Sequence, residues 1–249
     1  MNVIIIPYRN RKAHLDYFLE HSLPLFTKHL EDTKVVVVEQ TEGTLFNRGK
    51  LLNIGFVTHP NAKYYYTHDV DINPYKETIK NIYNKELGNN EIMGIYTSCA
   101  DTLGGVIKFG KEVFTKMNGF PNNIWGWGME DIALQNRAKF KNVVIHKNII
   151  DDNKDKDQYF KVFNDVNDRL IGTDWQQAQF WEVNQINRMP KGVREGRLQN
   201  NGVNNISYKV LSEEMLAVNV QKLLVDIGGE GKGVDTALNN IYNEVFGKN

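Results

Sequence analysis

The sequence predicts an α/β fold with a mostly parallel central sheet flanked by helices. Short β-branched runs at residues 3–6 (Val-Ile-Ile-Ile) and 35–38 (Val-Val-Val-Val) read as strands buried on both faces. Between them Leu15, Phe18, Leu19, Leu23, Phe26 and Leu30 recur at helical spacing. Strand and helix then keep alternating through the first half, the order expected of a parallel sheet covered on both sides.

The elements follow in order. The strand at 3–6 is expected to end at Pro7. Leu51, Leu52 and Phe56 mark a helix from about Asn47, and residues 64–67 form an aromatic strand leading into Asp69-Val70-Asp71. Residues 92–96 and 105–109 are further strands, and 111–117 reads as a short helix stopped by Gly119 and Pro121. Residues 130–140 form the next helix. Residues 151–157, with four Asp, two Lys and an Asn, read as a charged loop. Residues 206–211 alternate as a strand, 218–227 suggest another, and the tail from Gly228 is Gly-rich and then briefly helical.

Composition excludes several classes. Thirty basic and thirty acidic residues cancel, so bulk charge points to no nucleic-acid partner. Aromatics make up 11% of the chain, which is incompatible with wholesale disorder. The single cysteine, Cys99, cannot form an internal disulfide and suits a reducing compartment. No run approaches the roughly 20 apolar residues of a membrane span, and the first apolar run is too short for a signal-peptide core. A soluble, cytoplasmic protein is the expectation.

Three motifs carry chemistry. In Trp125-Gly126-Trp127-Gly128-Met129-Glu130-Asp131, glycines let backbone approach a ligand and Trp offers a flat face to a sugar ring. The adjacent acids suit proton transfer or a grip on hydroxyls. A Gly-rich turn that buries its aromatics is the alternative. Asp69-Val70-Asp71 at a strand end is a hard-oxygen pattern for a divalent cation, whereas Asp155-Lys156-Asp157 reads as a solvated loop. Arg9, Arg11 and Arg48 fall at predicted strand-end loops, where guanidinium forks match phosphate oxygens. No Gly-x-Gly-x-x-Gly or Walker loop is present.

This ordered set resembles the β-1,4-galactosyltransferase family. The matching segments are Ile5-Ile6-Pro7-Tyr8-Arg9-Asn10-Arg11, then Phe46-Asn47-Arg48-Gly49-Lys50-Leu51-Leu52-Asn53-Ile54-Gly55-Phe56 and His68-Asp69-Val70-Asp71. Gly104-Gly105, the Trp-Gly segment and Gly202-Val203-Asn204-Asn205-Ile206-Ser207-Tyr208 complete it. The resemblance implies a glycosyltransferase-A fold and metal-dependent, inverting transfer of a hexose, galactose first, from a UDP-sugar to a carbohydrate or glycoconjugate hydroxyl. It implies one domain over residues 1–228, with a donor half to about 110 and an acceptor half beyond, then a helical tail at 229–249.

Carried over, Pro7, Tyr8, Arg9 and Arg11 hold the uridine diphosphate, Phe46 and Arg48 line the donor side, and Val70 touches the ribose beside Asp69. Asp71 ligates the metal, manganese or magnesium. Gly105 lets backbone meet the sugar, Trp125, Trp127 and Gly128 face sugar, Glu130 holds hydroxyls, and Asp131 is the base.

The sequence also departs from the family. The family's late metal-binding histidine has no counterpart, since none of the six histidines lies beyond His146. Asp151, Asp152, Asp155 and Asp157 occupy that region instead, and His14, His21 and His29 read as structural. Thr102 stands where an aromatic can gate the donor's 2-substituent, which leaves room for an N-acetylated sugar. A binding module that has lost catalysis and a metal-dependent nucleotidyltransferase are the competing readings; the retained Asp131 argues against the first, the Trp-Gly platform against the second.

Overall fold

The computed structural model describes residues 1–97, 102–126, 128–147, 156–163 and 180–229. Strand β1 (Asn2–Tyr8) is buried on both faces because its alternate side chains enter two different cores. Val3 and Ile5 pack with Leu51, Leu52, Phe114 and Leu134, while Ile4 and Ile6 pack with Leu15, Phe18, Phe26 and Tyr83. The chain continues through α1 (Lys12–Tyr17), a π turn at Phe18–Ser22 and α2 (Leu23–His29) to β2 (Thr33–Gln40). Helix α3 (Arg48–Thr58) starts where Asn47 accepts the Lys50 N–H at 2.9 Å. It leads to β3 (Tyr64–His68), the short β4 (Ile72–Pro74) and α4 (Lys76–Thr78), which runs into a π turn at Ile79–Tyr83.

Next come β5 (Glu91–Tyr96), β6 (Val106–Gly110), α5 (Lys111–Met117), α6 (Glu130–Phe140) and β7 (Val144–Lys147). The last described elements are α7 (Lys156–Tyr159), β8 (Phe160–Val162), α8 (Lys191–Gln199), β9 (Lys209–Ala217) and β10 (Val220–Asp226). Eight strands form one sheet in the order β7-β5-β6-β3-β1-β2-β10-β9, and β4 pairs with β8 in a small second sheet. Among the described residues no helix is long and apolar enough to cross a membrane.

The sheet is mixed rather than uniformly parallel. β1–β2, β1–β3, β2–β10 and β5–β7 are parallel; β3–β6, β5–β6 and β9–β10 are antiparallel. Connection length explains this for two of the pairs. Only residues 97–105 separate β5 from β6 and only Val218 and Asn219 separate β9 from β10, both too short for a parallel crossover of a dozen residues or more.

Two boundaries differ from expectation. β1 runs past Pro7 to Tyr8, with Pro7 opposite Val38. Pairing with β3 stops at Ile5, so a residue without an N–H is tolerated where one side of the strand is already free. The expected strand at 206–211 starts only at Lys209. Val203 and Asn204 instead donate their backbone N–H groups to the carbonyl and side-chain oxygens of Asn118, tying that segment into a turn. Of the expected tail helix, residues 230–249 lie outside the described residues.

Candidate active site

The parallel centre of the sheet sends the carboxyl ends of β1, β2 and β3 to one edge, and the order β3-β1-β2 puts a switch point beside β1. Ligand crevices form at such points because successive connections leave the sheet in opposite directions. Arg9 to Arg11 follow β1, residues 41–47 follow β2 and Asp69 to Asp71 follow β3. The Arg9 guanidinium bonds the Thr44 carbonyl at 2.6 Å and stands 5.3 Å from the Phe46 ring centroid, so two predicted nucleotide contacts meet directly. Burial lowers the Arg9 pKa, opposed by Glu42. Tyr8 and Val70 are buried within the second core, and Pro7 is buried beside them.

Arg48, at the start of α3, is the hub of the crevice. Its Nε donates to Asp69 Oδ1 at 2.7 Å, Nη1 to Glu130 Oε1 at 3.2 Å and Nη2 to the Gly105 carbonyl at 3.4 Å. Residues from three separate parts of the chain thus converge on one guanidinium. Burial opposes its charge, yet Asp69 and Glu130 outweigh that and raise its pKa. Arg48 is therefore a fixed cation.

The Asp69 turn is held from behind. The buried His68 ring contacts the Asp69 carbonyl through Nδ1 and the Tyr83 hydroxyl through Nε2, both at 2.9 Å. Both contacts are bonds in the neutral ring only if Nδ1 carries the proton and Tyr83 donates to Nε2. Burial pulls the His68 pKa down to about 4, which keeps the ring neutral. Phe163 N–H donates to the Asp71 carbonyl at 2.9 Å, fixing the turn's other end.

Four carboxylates, Asp69, Asp71, Glu130 and Asp131, face this crevice. Burial and the neighbouring Asp69 push Asp71 up to about 6 against the pull of Arg11 and Arg48. Burial, then Asp131, pushes Glu130 up to about 7 against Arg48. Asp131 is raised by burial and lowered by Arg48. Its side chain lies against Gly104, where an added Cβ would meet Asp131 Oδ2 at 2.6 Å. A Cβ at Gly105 (φ +68°) would strike the Tyr96 ring at 2.6 Å. The Gly104-Gly105 pair thus lets a carboxylate and a guanidinium reach the same stretch of backbone.

Gly126, Gly128 and Met129 all have positive φ (85°, 94° and 76°), and Met129 is the residue that opens α6. This left-handed run aims Glu130 and Asp131 into the crevice. Gly128 has open space around it. Trp125, expected to face sugar, is only 4% exposed and belongs to the main core. Its ring is committed to packing, the alternative reading of this loop. Trp127 lies outside the described residues, as do Asp151, Asp152 and Asp155. Asp157 is exposed at the start of α7.

Sequence reasoning missed the buried network behind the loop. Asn47 and Asn53 donate to the Asn122 and Phe120 carbonyls at 2.8 Å each, and Asn53 Oδ1 accepts the Phe120 N–H at 2.9 Å. Arg137, fully buried on α6, donates to the carbonyls of Asn118, Gly119 and Asn201 at 2.6–3.1 Å. Glu182 balances it and Arg197. The available signal was an arginine on the inward face of a predicted helix, beside many asparagines.

The fold and this crevice together define the glycosyltransferase-A class. The Drosophila β-1,4-galactosyltransferase 7, solved as a mutant in complex with manganese, UDP-Gal and xylobiose, superimposes with a TM-score of 0.73 at 19% identity, covering 91% of this chain and 94% of that one. In sequence, residues 1–85 match the N-terminal region of glycosyl transferase group 7, and residues 89–160 match a family described as the N-terminal domain of galactosyltransferase. Human β-1,4-galactosyltransferase 4 is 33% identical over 221 residues, spanning 85% of this chain and 59% of that protein. Human β-1,4-galactosyltransferase 1 is 37% identical over 154 residues, 58% of this chain and 38% of that protein. The chain belongs to the β-1,4-galactosyltransferase family, and it spans about 59% of the length of the relatives it matches over most of its sequence.

Proposed function

We propose that the protein is an inverting glycosyltransferase that moves a hexose, galactose first, from a UDP-sugar to a carbohydrate hydroxyl, forming a β-linkage. The convergence of Asp69, Glu130 and Gly105 on Arg48, with Asp131 alongside, carries this reading. It joins a donor-side turn to an acid-bearing helix in one crevice, as a donor-to-acceptor transfer requires. The similar proteins support it: the relatives are β-1,4-galactosyltransferases, and the Drosophila neighbour binds UDP-Gal.

In this reading Arg9 and Phe46 take the nucleotide end of the donor, and Arg11 and Arg48 supply positive charge toward the diphosphate. Asp131 accepts the proton of the attacking hydroxyl as the new bond forms on the face opposite the leaving diphosphate. Its ionised form is disfavoured by burial and favoured by Arg48, which leaves a carboxylate more basic than one in water. Rigid placement on α6 supplies the orientation. Glu130, held by Arg48, is placed to bond sugar hydroxyls.

The donor set fits a divalent cation in part. Four carboxylates against the guanidinium charges of Arg48 and Arg11 leave excess negative charge in a half-buried cleft, and Asp71 has no salt-bridge partner among the described residues. Asp71, next to Asp69, is the residue that would ligate manganese or magnesium, and such an ion would stabilise the departing diphosphate as a Lewis acid. Among the described residues no cluster of three His, Cys, Asp or Glu side chains completes a metal site.

A second donor reading rests on Thr102. It is buried beside Leu103, whose N–H donates to the Asp131 carbonyl at 3.3 Å, and it is smaller than the aromatic that would gate an N-acetyl group. The test is a panel of nucleotide sugars with manganese or chelator, following free UDP. UDP release from UDP-galactose that is abolished by chelator and by Asp131→Asn supports transfer. Preference for UDP-N-acetylgalactosamine selects the second donor. Binding without turnover across a broad acceptor panel, or an α-linked product, sinks the proposal.

A further inference from the structure

We propose that the surface around the C-terminal end of α6 and helix α8 docks the protein peripherally on an anionic lipid bilayer. The chain is neutral overall, with 30 basic and 30 acidic residues, but its cations are unevenly spread. Lys139 and Lys141 flank Phe140 at the end of α6, while Arg188, Lys191 and Arg194 lead into and along α8. The two groups meet in space: the Arg194 guanidinium stands 4.3 Å from the Phe140 ring centroid. Phe140 and Val193 pack on the satellite core of Ile186, Met189 and Leu198.

None of these five cations has an ion-pair partner among the described residues. The nearby carboxylate, Glu182, is fully buried and already taken by Arg137 and Arg197. Glu195 is the single acid within α8, against the basic Lys191, Arg194 and Arg197.

Charge and shape select the occupant. Helix α8 turns Leu198 and Val193 toward the satellite core, buries Arg197 against Glu182 and leaves Lys191 exposed, with Arg194 half-buried over Phe140. Arg194 over Phe140 adds the aromatic-plus-cation composition of a membrane interface. A cluster of four to eight Lys and Arg on an amphipathic helix is what an anionic bilayer attracts. The patch sits at the opposite end of α6 from Asp131, roughly 15 Å along the helix, so docking leaves the crevice open.

The test is co-sedimentation of the full chain with vesicles of phosphatidylcholine containing about one third phosphatidylglycerol, against pure phosphatidylcholine, at low and high salt. Each cation near an anionic surface strengthens partitioning on the order of fivefold, so Arg188→Gln, Lys191→Gln and Arg194→Gln combined should weaken binding on the order of 100-fold. Lys28→Gln, Lys76→Gln and Lys80→Gln combined make the same change in net charge on another face and should leave binding intact. Lys191→Glu alone, at an exposed position, gives a second reading should the triple variant fold poorly. Absence of vesicle binding, equal binding to neutral vesicles, or equal loss in the control triple overturns the proposal. Capture of soluble dextran sulfate without vesicle binding overturns it in favour of a soluble polyanion.

Discussion

Arg48 and Asp69 are joined at 2.7 Å, although 21 residues separate them and they sit on different elements. One guanidinium then reaches Glu130, 82 residues away in sequence, so the donor side and the acid-bearing helix share a cation.

Replacing Arg48 by Met leaves the buried Glu130 and the partly buried Asp69 without their partner. Removal of one member of a buried ion pair costs about 3 kcal/mol or more. Arg48→Met should lower stability by about that amount in urea unfolding. Arg48→Lys should keep part of the stability but lose most turnover, because a point charge cannot bridge two carboxylates in a planar fork. Full activity in Arg48→Lys would show that the bridging geometry is dispensable.

Glu130 gives a pH signature in the metal-free protein. Its pKa rises from 4.5 to about 7 on folding, through burial first and Asp131 second. Between those values the folded state holds a proton that the unfolded state has released, so stability falls as pH rises through the window. Thermal unfolding in chelator should show a lower midpoint at pH 8 than at pH 5. Glu130→Gln, which cannot ionise, should flatten that slope; an unchanged slope would assign it to other groups.

Trp125 separates a core role from a sugar-facing one. As a core residue, Trp125→Ala should cost about 3–5 kcal/mol of stability. A variant of normal stability that loses only acceptor affinity would instead place the ring at the ligand.

Met129 holds a left-handed backbone at the start of α6. A non-glycine residue there costs about 1–3 kcal/mol, partly offset in a glycine variant by its extra unfolded-state freedom. Met129→Gly should therefore stabilise the protein by about 0.5–1 kcal/mol in denaturant titration. Destabilisation would mean that the Met side chain contributes more by packing than its backbone loses by strain.

Tyr83 is linked to the Asp69 turn through the His68 ring. Tyr83→Phe removes the hydroxyl that fixes the ring's tautomer, and loosened outer contacts of this kind weaken metal affinity about 10–100-fold. Manganese titration by paramagnetic relaxation should show that loss while the fold persists; unchanged affinity would show that the Tyr83–His68 contact does not position the proposed ligand Asp71.

Local signals were legible wherever neighbours in sequence settle the conformation. The helices at 111–117 and 130–140 begin and end where the spacing places them, because their stops are Asn118, Gly119 and the Gly-rich loop itself. The arginines and acids were legible as residue types at strand ends. Arg137 was not, since nothing local says that its guanidinium turns inward to three carbonyls contributed by distant loops. Nor was the late start of β9, which depends on Asn118 capturing Val203 and Asn204 from across the molecule.

The sequence by itself determined the α/β class, the helix starts and stops, the family, and which side chains could carry the chemistry. These rest on strand and helix periodicity and on ordered motifs, all of them short-range. Tertiary structure alone decided the antiparallel pairing of β3 with β6, the burial of Trp125 and the meeting of Asp69, Glu130 and Gly105 on Arg48. Those outcomes depend on which distant segments pack together, because a buried charge takes the partners that the packing brings to it.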